Sequence, residues 1–206
     1  MRPTLCLAAL AAVLAAAGAA PIPDGAKARP PVTCTITAPP TVEQGQVPRV
    51  TVALTNNTAA EMLLVGSLDG SDCKMRFPHC TFEITGPDGK SPVKGIGRCG
   101  NMNTLREKDF VRVAPGKSFD PFGRIDDGGF FGCHQLRAEN FAAPGDYRLR
   151  FRYATVAEKE ARGNWFGDGF RKGQEAEEAR VNALLDRVPR VTVESNTITV
   201  RVVAKE

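Results

Sequence analysis

A two-residue alternation of apolar and polar side chains recurs along this sequence in short runs, and it leaves few folds open. Its clearest instance is Tyr147–Tyr153 (YRLRFRY). There Tyr147, Leu149, Phe151 and Tyr153 share one phase, and Arg148, Arg150 and Arg152 share the other. Successive side chains of a strand point to opposite faces, so such a run buries one face and wets the other. Thr33–Thr37 alternates around Cys34 and Ile36, and Arg49–Thr55 around Val50, Val52 and Leu54. Thr81–Thr85 places Phe82 and Ile84 inward, and Asn196–Val203 does the same with Ile198, Val200 and Val202. Met62–Val65, Phe110–Val113 and Ser118–Phe122 read as further short strands. Turn residues separate these runs, at Asn56-Asn57-Thr58, Pro87-Asp88-Gly89 and Ala114-Pro115-Gly116-Lys117. In the last of these, Pro and Gly suit the two centres of a type II turn. The pattern predicts a mainly-β chain folded as an antiparallel β-sandwich.

One segment departs from it. Gln174–Val188 places Val181, Leu184, Leu185 and Val188 at helical spacing, and Pro189 stops the run. We expect one helix here, within an insertion at about 155–190 that precedes the last strand. A Gly-rich aromatic stretch, Gly163–Phe170 (GNWFGDGF), leads into it.

The N-terminus reads as an export signal. Arg2 is followed by an apolar run from Leu5 to Ala17 and by the small residues Ala17-Gly18-Ala19. That layout predicts a signal peptide over 1–19, cleaved after Ala19, and a secreted or periplasmic protein. No later segment is long and apolar enough to span a bilayer, so none is expected in the mature chain. Residues 20–32 (APIPDGAKARPPV) read as a Pro/Ala-rich tether, leaving 33–206 as the folded domain. The net charge of +4 is small for a nucleic-acid binder, and no nucleic-acid partner is expected.

Several of these features resemble a known family. Pro144-Gly145-Asp146-Tyr147 puts a tyrosine at the entry to the strongest strand, like the tyrosine corner of immunoglobulin-like sandwiches. With the strand at 45–58 (GQVPRVTVALTNNT), the hairpin at 82–90 (FEITGPDGK) and the final strand at 193–202 (VESNTITVRV), the chain looks like exported bacterial immunoglobulin-like or fibronectin-like proteins. Leu149 stands where antibody domains carry a cysteine, and Trp165 lies in the late insertion, which favours the wider class. The resemblance implies a fold and a compartment, and no catalytic residues.

After export the chain keeps Cys34, Cys73, Cys80, Cys99 and Cys133, and an oxidising compartment makes disulfides the default. Folding the chain back about Pro87-Asp88-Gly89 brings Cys80 near Cys99, so we expect Cys80–Cys99, with Cys73–Cys133 as the second bridge and Cys34 as a buried free thiol. The rival reading is a metal site at His79-Cys80 and Cys133-His134. Adjacent strand residues point apart, so such pairs converge poorly, and no metal or other cofactor is expected. The same geometry argues against a Cys133/His134 nucleophile, and no familiar catalytic motif is present. Asp69-Gly70-Ser71-Asp72 and Asp126-Asp127-Gly128-Gly129 lack the ligand spacing of a calcium loop and read as turns.

Two surfaces are candidates for binding. Arg148, Arg150 and Arg152 form a basic ladder that an acidic glycan or protein could meet. The alternative is a solvated face paired with glutamates of neighbouring strands. Trp165, Phe166 and Phe170 could present rings to a partner, or else pin the inserted helix to the sandwich. The expectation is a non-catalytic binding or structural module of the bacterial envelope, whose partner is an extracellular protein or an envelope glycan. An inhibitor or accessory domain docking an extracellular enzyme is the runner-up, and a metal-binding protein or Cys/His enzyme comes third.

Overall fold

The computed structural model describes residues 29–71, 76–95, 100–122, 135–155 and 169–205. The expected signal peptide lies outside them, as do Cys73, Cys99, Cys133, His134, Trp165 and Phe166. In chain order the strands are β1 (Val32–Thr37), β2 (Thr41–Glu43), β3 (Thr51–Asn56), β4 (Met62–Val65), β5 (His79–Thr85), β6 (Phe110–Val113), β7 (Ser118–Phe119), β8 (Gly145–Ala154), β9 (Thr192–Glu194) and β10 (Ile198–Val203). The helix α1 (Glu175–Leu185) falls between β8 and β9. The fold is mainly β, as the alternation predicts.

One sheet, β1-β3-β7, is antiparallel throughout; a second runs β2-β10-β8-β5 and is antiparallel except where β2 lies parallel to β10; β4 and β6 pair by themselves. The inward phases of the strands meet in one core: Ile36, Val52 and Leu54 from the first sheet, with Phe82, Leu149, Phe151 and Val200 from the second. β9 and β10 lie one after the other along the same edge of β8, with Arg152 opposite Glu194 and Leu149 opposite Ile198. A bulge at 195–197 separates them, with Ser195 still bonded to Phe151 of β8. Asn196 uses that bulge to reach β1, accepting the Ile36 N–H at 2.8 Å and donating to the Ile36 carbonyl at 3.1 Å. A side-chain amide thus supplies β1 with the ladder bonds that a neighbouring strand would give.

β4 is buried along its whole length. Leu64 and Met62 enter the main core, while Leu63 and Val65 face a second cluster with Phe77, Leu105, the helix residues Val181 and Leu185, and Val188 just past the helix end. An unbroken apolar run is what a strand covered on both faces requires. The helical stripe is realised, with Leu184 half-buried beside the other three positions.

Tyr147 makes the corner contact. Its buried hydroxyl donates to the Ala143 carbonyl at 3.0 Å and accepts the Ala143 N–H at 3.2 Å. At the same corner a Cβ on Gly145 would stand 2.7 Å from Cβ and Cγ of Pro87, and φ there is 135°. Only glycine combines that backbone with that approach. Gly116, at φ 68°, takes the third position of the expected turn, closed by Lys117 N–H to Ala114 O at 3.0 Å.

Four expectations change. The turn after β5 forms, with Gly89 N–H bonded to Gly86 O at 3.0 Å, but residues 91–95 make no strand. The neighbour of β5 is β8, with Cys80 opposite Tyr153. There is therefore no hairpin at 82–90, and the register that set Cys80 against Cys99 is not formed by these residues. β7 is shorter than Ser118–Phe122 because the Asp120 carboxylate accepts the Phe122 N–H at 2.8 Å and turns the chain. β9 stands between the helix and the last strand. Finally, the end of the expected tether belongs to the fold: β1 starts at Val32, and Asn57 bonds to the carbonyls of Pro30 and Pro31.

Candidate functional site

The arginine ladder lies across a sheet face rich in acceptors. Arg150 stands opposite Glu83 on β5 and donates to it at 2.5 and 3.1 Å, while its other nitrogen reaches Glu194 of β9 at 2.9 Å. Arg148 faces Thr85 on one side and Thr199 on the other. Arg152 lies between Thr81 and Glu194. Further along, Arg201 grips Asp146 with two bonds, at 2.7 and 3.1 Å, and these hold the Asp146 carboxyl below its ordinary range. The face is a mixed-charge ladder, with its middle arginine shared between two carboxylates. Exposed pairs of this kind contribute about 0–1 kcal/mol each.

Of the three aromatic candidates only Phe170 is among the described residues. It is half-buried and packs on the second core cluster, the surface that carries α1. That contact is of the helix-pinning kind. Among the four bridge candidates only Cys80 is described; it is buried on β5, with Sγ 3.5 Å from the Asp69 carbonyl. His79, one position away, is half-buried and stacks on Phe77 at 4.2 Å, so the two side chains take opposite faces as the strand period requires. Among the described residues no three His, Cys, Asp or Glu side chains gather in a way that could hold a metal. Cys34 shares the core with Ile36, and burial pushes its thiol up to about 12.

The structure adds a site that lies outside all of these. A pocket of about 440 Å³ opens where residues 103–109 meet residues 169–174 at the start of α1. Thr104 joins the two walls by donating to the Gly169 carbonyl at 2.6 Å. Arg106, Lys108 and Arg171 bring positive charge to the lining, and Asp109 is its one carboxylate. Asp109 sits at the end of a 3-10 turn, Glu107–Asp109, and accepts the Arg106 N–H at 2.8 Å, which fixes the turn. On the helix side, Gln174 accepts the Arg171 N–H at 2.8 Å and donates to Glu177 at 3.2 Å. The remaining linings, Ser67 and Asn103, are polar too.

Beneath these two residues lies Arg76, fully buried. Its guanidinium donates to the carbonyl of Asn103 and to both oxygens of Ser67, the carbonyl among them at 2.8 Å. Burial pushes it down to about 10, against the pull of Asp109 and Asp69 toward the charged form. It is still a cation at neutral pH. Asp69, also fully buried, accepts the Ser71 N–H at 2.9 Å and the Arg76 N–H at 3.2 Å. Buried Asn101 completes the floor, donating to Leu68 O at 2.9 Å and accepting the Asn103 N–H at 3.0 Å. A buried charge tied to backbone on both sides holds those segments in one geometry, because any shift strands a polar group away from water. Sequence reasoning treats Asp69 as a turn residue and passes over Arg76. Its setting, Met75-Arg76-Phe77, has no period that marks an arginine as interior.

No protein-family model matches this chain, and searches of the curated proteins and of the solved structures return no match.

No helix among the described residues is long and apolar enough to cross a membrane.

Proposed function

We propose that this chain is an exported, non-catalytic binding module of the bacterial envelope: an immunoglobulin-like sandwich that carries its ligand site on a helical annex. The observation that supports this most is the pocket between residues 103–109 and 169–174, lined mainly by polar and charged side chains, with two of the lining residues bonded to a buried arginine. Its groups are of the kind that hold a ligand, namely cations, amides and hydroxyls on fixed backbone. It also lies at the end of the 155–175 region, where length and aromatic content point to a contact surface. Disulfide bridges among Cys73, Cys80, Cys99 and Cys133, their pairing left open by the lost hairpin register, belong to the same reading. Mapping of the unreduced protein by mass spectrometry should find them, and fully reduced thiols in the exported protein would remove them.

Site-specific photo-crosslinking tests the binding site. A crosslinker at position 171 should trap a defined envelope component, and the same group at position 148 on the sheet face should not. Equal capture from both positions, or capture from 148 alone, contradicts the proposal. A trapped extracellular enzyme, inhibited on binding, would favour an inhibitor over a ligand-binding module.

A further inference from the structure

We infer that the pocket takes a small hydroxylated anion, a sugar-sized molecule bearing a carboxylate or a phosphate group; this rests on the chain being a binding module with its site at this pocket. Charge is the first ground. Arg106, Lys108 and Arg171 line the space, and Arg76 lies directly under it. The carboxylates nearby are already engaged. Asp109 caps its own turn, Glu177 meets Arg106 at 3.3 Å, and Glu107 meets Arg180 at 2.6 Å. Among the described residues Arg171 has no carboxylate partner, and its exposed side chain lies at the rim. Cations gathered around one concavity repel one another and draw in an anion, and a guanidinium offers a planar fork that matches carboxylate or phosphate.

The second ground is the character of the walls. No large apolar side chain lines the space, whereas Ser67, Asn103, Thr104 and Gln174 do. A lipid or an aromatic ligand would find little to bury against, while hydroxyl groups would find amide and hydroxyl partners. The third ground is size. A volume of about 440 Å³ suits one sugar-sized molecule.

Isothermal titration of the mature protein at low ionic strength tests this, with glucuronate, glucose-6-phosphate and neutral glucose as probes. We expect at least one of the two anions to bind with Kd of about 1 mM or tighter, and about tenfold better than glucose. Which anion binds better distinguishes a uronate from a sugar phosphate. Arg171→Gln and Lys108→Gln should each weaken that binding about tenfold. Lys90→Gln, in the turn at the opposite end of β5, should leave it unchanged. Arg171 is exposed, so its variant should fold as the parent does. The inference falls if neither anion binds, if glucose binds equally well, or if the pocket variants bind like the parent. If the inference falls while a crosslinker at position 171 still traps a partner, the binding module stands and only its anion preference is lost.

Discussion

Between the two sheets, Leu54, Phe82, Leu149 and Phe151 pack apolar side chain on apolar side chain. On the far side of β4, a helix covers a small apolar cluster, and next to it Arg76, Asp69 and Asn101 are buried with their polar groups bonded to backbone. The first region tolerates exchange as long as volume and pattern are kept. The second depends on individual partners, since both terminal nitrogens of Arg76, the Asp69 carboxylate and the Asn101 amide each meet a specific group. Both are interior, and the second lies under the pocket of about 440 Å³. The contrast suggests a division of labour in which alternation builds a platform and buried polarity shapes the site on it.

The largest expected effect lies in the platform. Phe151→Ala should cost about 3–5 kcal/mol in urea or thermal unfolding, as for other large buried side chains. A loss under about 1 kcal/mol would mean that the core is not held where the strand phases meet. Arg76→Met keeps much of the volume but removes the charge. It removes the positive charge that buried Asp69 acts on and leaves the carbonyls of Ser67 and Asn103 without the guanidinium donor, and should cost about 3 kcal/mol. Unlike Phe151→Ala, it should also weaken ligand binding in the fraction that remains folded. Wild-type stability in Arg76→Met would erase the distinction between the regions.

A smaller effect is a pH dependence seated in the platform. The Cys34 thiol titrates at about 12 in the fold, against 9.0 when free, because burial disfavours the thiolate. Its folded pKa is raised, so its contribution is complete below pH 9 and is lost as pH rises toward 12. Stability should fall by about 1 kcal/mol per pH unit across that window, and Cys34→Val should flatten the slope. An unchanged slope in the variant would show that the alkaline loss arises elsewhere. The smallest effect belongs to the charged sheet face. Arg150→Gln should change stability by about 1 kcal/mol or less and leave the pocket untouched, since its partners are exposed glutamates.

How far the sequence revealed each region follows from the physics of each. The platform shows in local pattern. Tyr147–Tyr153 alternates, and β8 buries Tyr147, Leu149, Phe151 and Tyr153 as that alternation requires. The helix was visible in the spacing of Val181, Leu184 and Leu185, but it ends at Leu185, short of Val188 and of the stop expected at Pro189. β2 and β9 were not, because three residues carry too little period to register. The partner of β5 was misread because a turn shows where a chain reverses, not which strand it then meets. The pocket was illegible for a deeper reason. Arg76 and Asn103 are 27 positions apart, and Thr104 and Gly169 are 65 apart. No local pattern links such positions, and a buried arginine looks like a surface one until its partners are known.

Backbone amide shifts of isotopically labelled mature protein, titrated with the glucuronate and glucose-6-phosphate probes, test the division of labour most directly. The account predicts shifts concentrated at residues 103–109 and 169–174, with β8 amides around Arg148 and Arg150 unmoved. Shifts gathered on the arginine face of β8, with the pocket residues silent, would contradict it.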